Sequence, residues 1–322
     1  MTMRELAKMA GVSVSTVSKA FNGANDIGEE TRQKILEIAK QEGCLGKYKK
    51  QKYEKKAIAI ICPELGSEYY QKHIQCLQDV IEKNGGIAIV STDNFSKTKQ
   101  TELIDYYANY LRADGIIVFN FNGTVKSGCE TPIVSIGGKD DRMVDNVFVD
   151  FKDAIDSSIK LLKQHNHKNI AFIGESRTMS KQQLFEDCVR ENGLNLIRQN
   201  IVVSNERFEN AGRDGMEKLL NTPDRCTAVV CAYDSIAIGA MDFLKQNGYS
   251  IPKDFSIIGM DNIKVDEYLE HRLTTINSRT QEICAIAYDI LRRKLDSRYF
   301  RARQKITVPC ELVVRETVAD RS

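Results

Sequence analysis

Apolar residues at the start of the chain recur at helical spacing. Leu6, Ala7 and Ala10 share one face, Val17, Ala20 and Phe21 a second, and Ile35, Ile38 and Ala39 a third. This predicts three short helices, the last over about 29–42. Thr2 and Glu5 have the spacing of a capping box. Gly11 permits a sharp turn, Val12 plugs the angle behind it, and Ser13 caps the second helix. Ala7 lies where two helices approach closely. Val14, Ser15, Ser18, Lys19 and Asn22 are left facing outward. The pattern is that of a helix-turn-helix, whose second helix enters the major groove of DNA. A small helical cap without a ligand is the competing reading, and the hydroxyl-rich second helix with its one Lys weighs against it.

From Ala57 the texture changes to apolar runs alternating with amphipathic ones. Strands are predicted over 57–62, 86–91, 115–119, 132–136, 147–149, 169–173, 201–203, 227–231 and 256–260. Helices are predicted over 69–83, 97–111, 152–165, 182–192, 211–221 and 235–247. Unbroken apolar strands between helices mean parallel sheets covered on both faces. Two consecutive sets predict two doubly wound α/β lobes.

Charge separates the two regions. Residues 1–56 hold 12 Lys and Arg against 7 Asp and Glu, and the rest of the chain nets −3. A basic arm on a mildly acidic body fits an anionic partner for the arm only. The nine Cys are an odd number with no CxxC pair, as expected of reduced thiols in a cytoplasmic protein. No apolar run has membrane-spanning length and no signal peptide is evident. His73, His165, His167 and His271 lack metal-ligand spacing, and neither a phosphate-binding Gly loop nor a nucleophile elbow occurs. An enzyme, a metal site and a cofactor are therefore not expected.

Residues 2–22, with the string Ala10-Gly11-Val12-Ser13-Val14-Ser15-Thr16-Val17-Ser18-Lys19, resemble the headpiece of the LacI/GalR family of bacterial transcription regulators. The body resembles the same family at Asn166-His167-x-x-Ile170-Ala171-Phe172-Ile173-Gly174, along 228–240 and 248–261, and at 273–276 and 311–315. The resemblance implies that Val14, Ser15 and Lys19 read base edges and that Ser13, Thr16, Ser18 and Asn22 hold phosphates. It implies a periplasmic-binding-protein-like core whose chain crosses three times between its lobes. The expected domains are a headpiece 1–46, a Lys-rich linker 47–56, a first lobe 57–149 with 277–302, and a second lobe 150–276 with 303–322. The chain stops soon after Arg315, so a dimer without a C-terminal heptad segment is expected.

The linker departs from the family pattern. It lacks the usual Pro and carries six Lys in ten residues, which favour phosphate contact. Tyr53 is the candidate replacement for the usual minor-groove Leu; a disordered basic tether is the alternative.

In open parallel sheets, ligands bind outside the carboxyl ends of the strands. The corresponding loops are 64–70, 92–96, 120–123, 137–140, 175–181, 204–208, 233–234 and 261–264. By resemblance, Asp261 matches an acidic residue that grips ligand hydroxyls, and Tyr69 and Tyr70 match an aromatic pair at the cleft mouth. Lys181 stands where Arg is usual, Tyr233 replaces Asn, and Gly137 replaces Asp. Phe208, or Arg207 beside it, falls near a ring-stacking aromatic. The expected function is a DNA-binding repressor controlled by a small polar effector such as a sugar or related metabolite. A transport-type solute-binding protein and an enzyme on the same core are the rivals.

Overall fold

The computed structural model describes residues 1–22 (of Asn22 the backbone only), 24, 26–44, 55–138, 143–223, 226–297 and 300–321. The chain divides into two compact units, Met1–Lys55 and Lys56–Ser322. The expectations for Tyr53 and for most of the Lys-rich linker lie outside the described residues.

The first unit holds helices α1 (Met3–Ala10), α2 (Val14–Asn22) and α3 (Glu29–Gln41). The Thr2–Glu5 capping box closes in both directions, and Gly11 ends α1 in a left-handed conformation at φ 70°. The Ser13 hydroxyl accepts the Thr16 backbone N–H at 3.0 Å. Leu6, Ala7, Ala10, Val17, Ala20, Phe21, Ile35 and Ala39 form one buried cluster, with Val12 and Ile38 packed against it.

The second unit contains two six-stranded sheets. The first is ordered β11-β5-β4-β3-β1-β2 and the second β12-β10-β9-β8-β6-β7. Here β1 is Ala57–Cys62, β2 Ile87–Thr92, β3 Gly115–Phe119, β4 Ile133–Ile136 and β5 Asp145–Asp150. In the second sheet β6 is Ile170–Glu175, β7 Ile201–Ser204, β8 Ala228–Cys231, β9 Ser256–Met260 and β10 Thr274–Asn277; the last two strands are β11 Lys305–Pro309 and β12 Glu311–Val313. All pairings are parallel except β10 with β12. Strands β1, β3, β4, β6, β8 and β9 are almost wholly buried because helices cover both faces. The helices are α4 (Glu68–Lys83), α5 (Lys97–Asp105), α6 (Lys152–Gln164), α7 (Met179–Glu191), α8 (Phe208–Leu220), α9 (Asp234–Gln246) and α10 (Thr280–Asp296). One π-helical turn, Tyr106–Tyr110, extends α5.

The chain passes between the sheets after β5, after β10, and between β11 and β12. One boundary is thereby corrected. The stretch 303–309 was expected in the second lobe, but Lys305–Pro309 pairs with Asp145–Asp150 at the edge of the first sheet. The switch to the second lobe comes at Cys310, just before Glu311–Val313 joins β10. An edge strand with alternating exposure carries no continuous apolar run to reveal it.

Candidate functional site

The carboxyl ends of the parallel strands from both sheets face one cavity of about 560 Å³. That size suits a small ligand. The loop after β1 supplies Glu64, and α4 supplies Tyr69 and Tyr70. From the second lobe come Arg177 and Lys181 around the start of α7, Arg207 before α8, Tyr233 before α9, and Asp261 after β9. Several of these turns require unusual backbone. Phe95, Asn120, Phe208, Asp261 and Asn262 all have positive φ, between 50° and 121°. Such conformations in side-chain-bearing residues cluster at functional sites.

Aromatic packing fixes the first-lobe wall. Tyr69 and Tyr70 meet edge-to-face at 5.2 Å, and Tyr70 packs likewise on Phe119 at 5.5 Å. The Asn120 amide donates to the Tyr70 hydroxyl at 3.0 Å. Buried His73 donates through Nδ1 to the Tyr69 carbonyl at 2.8 Å. Burial lowers the His73 imidazole to about 4, so it is neutral.

The second-lobe wall is ionic. Lys181 donates to the Ala232 carbonyl at 2.7 Å, and its Nζ lies 3.5 Å from an Asp261 carboxylate oxygen. The ammonium also sits over the rings of Phe151 and Tyr233, at 4.7 and 5.0 Å. Asp261 is nearly fully buried, and burial pushes its carboxyl up to about 7 despite Lys181. Below it Asp234 is buried completely, accepting from the Thr275 hydroxyl and the Ile263 N–H. Burial and the neighbouring Asp234 charge raise Asp266 to about 10, so this third buried carboxyl holds its proton. The Tyr233 hydroxyl donates to Glu175 at 2.8 Å.

Several contacts join the lobes across the cleft. Arg207 makes a two-pronged bond to Glu64, Arg177 stacks 3.7 Å above the Phe95 ring, and Lys72 donates to the Asn262 carbonyl at 2.9 Å. The sequence had placed all these loops at the cleft without singling out Glu64, Phe95 or Arg177. Five of the six expected residues, Tyr69, Tyr70, Lys181, Tyr233 and Asp261, line the cavity together. Phe208 does not; its ring lies behind Arg207, 4.4 Å from the guanidinium carbon, and 6.3 Å from the Tyr233 ring. Gly137 lines the cavity, and a Cβ there would crowd the Asn120 side chain at 2.8 Å.

In the headpiece, Ser13, Val14, Ser15 and Lys19 are exposed, and Thr16 and Ser18 are half-buried. Thr16 shares its hydroxyl with Ser13 at 2.8 Å, and Lys19 pairs with Asp26 at 2.5 Å. The Asn22 side chain lies outside the described residues. His167 is structural as expected, bonded to the Thr227 and Ser256 hydroxyls at 2.7 and 2.9 Å.

Asp156, Cys188 and Glu191 offer ligand atoms within 4.8 Å of one another. However, Lys160 and Asn192 already hold Asp156, and burial raises the Cys188 thiol to about 11, which keeps it protonated. Among the described residues no helix is long and apolar enough to cross a membrane.

Two family models match this chain. Residues 2–43 match the bacterial regulatory proteins of the lacI family, and residues 159–318 match a periplasmic binding protein-like domain. The HTH-type transcriptional repressor CytR of Escherichia coli K12 is 25% identical, covering 98% of this chain and 95% of that protein. The probable HTH-type transcriptional repressor ExuR of Bacillus subtilis is 27% identical, covering 98% of each. Among solved structures, the lac repressor dimer bound to operator and an anti-inducer superposes with a TM-score of 0.73 at 18% identity, covering 99% of both chains. A LacI family regulator from Enterococcus faecium with bound ribose gives 0.72 at 19% identity, covering 83% of this chain and all of that one. The capped helix-turn-helix, the two crossed-over lobes and these matches agree, and the chain belongs to the lacI family of bacterial regulatory proteins.

Proposed function

We propose that this regulator is a cytoplasmic, homodimeric repressor whose grip on operator DNA is set by a small polar metabolite held between its lobes. One observation carries the reading: the chain that bears the exposed recognition helix also bears a cavity walled by both lobes. In this reading Val14, Ser15 and Lys19 read bases, while Ser13, Thr16, Ser18 and Asn22 hold phosphates. Tyr53 is the candidate minor-groove wedge. Tyr69 and Tyr70 grip the effector from one lobe and Lys181, Tyr233 and Asp261 from the other, with Phe208 buttressing Arg207. The curated relatives CytR, PurR and ExuR, named as transcriptional repressors, and the sugar complexes among the solved structures support it.

A ligand shifts the lobes only if it binds their open and closed arrangements differently. Lobe closure would then alter the spacing of two headpieces in a dimer. The test is a gel shift with the protein's own upstream DNA. Binding should fall by roughly 10³-fold or more between low and moderate salt, because several phosphates are neutralised. A core of residues 57–322 should stay folded and dimeric but lose DNA. A core that still shifts operator would overturn the assignment.

A further inference from the structure

The charges around the cleft are unevenly matched. Arg207 is satisfied twice, by Glu64 at 2.7 and 2.8 Å and by Glu175 at 3.9 Å. Glu175 is itself engaged by the Tyr233 hydroxyl, the Ser176 hydroxyl and the Arg177 N–H. Two cations remain. The Lys181 side chain is only 14% exposed, and its one short bond goes to a neutral carbonyl. Asp261, 3.5 Å away, is the sole carboxylate in ion-pair reach of Lys181 among the described residues, and burial keeps much of it protonated near pH 7. Arg177 has its flat face on Phe95 and no ion-pair partner among the described residues. Stacking of this kind leaves the in-plane N–H donors free, and their fork matches a carboxylate or phosphate.

We propose that the ligand of this cleft is a small polyhydroxylated anion, a sugar acid or a sugar monophosphate, whose acidic group is taken by Lys181 and Arg177. This rests on the cleft being the effector site. A neutral sugar filling the cavity would strip water from Lys181 without returning charge, and an undercompensated buried cation is costly. Tyr69, Tyr70 and Asn120, all on the cavity wall, supply apolar and polar surface for the rest of a polyhydroxylated ligand.

The test is calorimetry on the full chain with D-glucuronate, D-gluconate and D-glucose 6-phosphate, set against D-glucose and D-glucitol. At least one anion should bind about tenfold or more tighter than its uncharged counterpart, the gain expected of a charge-assisted bidentate bond. Arg177→Gln should cut the ratio of anion to uncharged affinity severalfold, and a ratio that does not change overturns the role of Arg177. The carboxylate and phosphate probes separate the two sources of negative charge. Location is read independently: the chain has no Trp, so Phe151→Trp places a single Trp, excited selectively at 295 nm, in the cavity. Neutral compounds that bind as tightly as anions and change this fluorescence overturn the anion inference and leave the cleft reading standing. An anion that binds by calorimetry without changing the fluorescence overturns the cleft reading. Failure of all three anions at millimolar concentration overturns the inference as well.

Discussion

Arg207 and Glu64 lie 143 residues apart in sequence, yet they face each other across the cleft with both prongs of the guanidinium engaged, at 2.7 and 2.8 Å. Glu64 follows the first strand of one lobe, and Arg207 precedes α8 of the other. Their side chains are 18% and 30% exposed, so solvent screens the pair only in part. The bond is a latch between the lobes. Glu64→Gln keeps one acceptor but removes the charge, at a cost to the closed arrangement of about 1–2 kcal/mol. Hydrogen exchange should rise in the loops 64–70 and 204–208 while the sheets stay protected. The swap Glu64→Arg with Arg207→Glu should recover part of the protection. Unchanged exchange in the single variant rejects the latch.

The second lobe depends on a close helix crossing. Gly212 of α8 faces the Ile236 carbonyl of α9, and Gly239 of α9 faces the Glu209 carbonyl of α8, so closely that a Cβ at either position would collide with backbone. Helix propensity alone predicts that Gly239→Ala stabilises by about 1 kcal/mol. Collision with backbone that has nowhere to move predicts a loss of about 1–3 kcal/mol or more. We expect the loss, seen as a lower urea midpoint. A higher midpoint would mean that the helices separate freely.

These examples mark what the sequence alone could and could not disclose. Strands such as Gly115–Phe119 and Ser256–Met260 were legible to the residue, because a strand buried on both faces is a continuous apolar run. Lys305–Pro309 was not, since at the sheet edge only Val308 is buried. The cleft loops were legible from the rule that ligands meet strand ends. Which side chains pair across them was not, because Glu64–Arg207 and Arg177–Phe95 arise only when two lobes meet. Of the two alternatives at 207–208, Arg207 lies on the cavity wall, and Phe208, with positive φ, lies behind it.

The recognition helix makes a separable prediction. Lys19 is exposed and held by Asp26, an ion pair that must open for the base contact proposed for the ammonium. Lys19→Ala should lose about 1–3 kcal/mol of discrimination at one operator position. Thr16→Ala should weaken all sequences alike, since phosphate contacts carry no sequence information. Part of that weakening comes from the lost bond to Ser13 at 2.8 Å. Asp26→Asn frees Lys19 and should tighten binding at low salt without changing base preference. Binding-site selection on randomised operators distinguishes the three, and identical selectivity of the Lys19 and Thr16 variants rejects the division of roles.

Asp261 ties the cleft between the lobes to pH. Burial raises its carboxyl from 3.8 to about 7, with Asp234 adding repulsion against the relief from Lys181. The folded state therefore binds this proton more tightly than the unfolded state does. Stability from this group is complete below about pH 4 and is lost as pH rises through 7, because the buried side chain must then ionise. Asp261→Asn removes the ionisation and keeps the shape, and Asn tolerates the positive φ of 121° better than most residues. The variant should thus gain on the wild type in urea midpoint between pH 5 and pH 8, the difference levelling off above the folded pKa. A difference constant across that range would show that the group does not titrate there. The same side chain is proposed to grip the effector, so Asp261→Ala should abolish the effector response while leaving operator affinity intact. Gel shifts with and without the ligand found by calorimetry check this, and a full response in the Ala variant rejects Asp261 as a ligand contact.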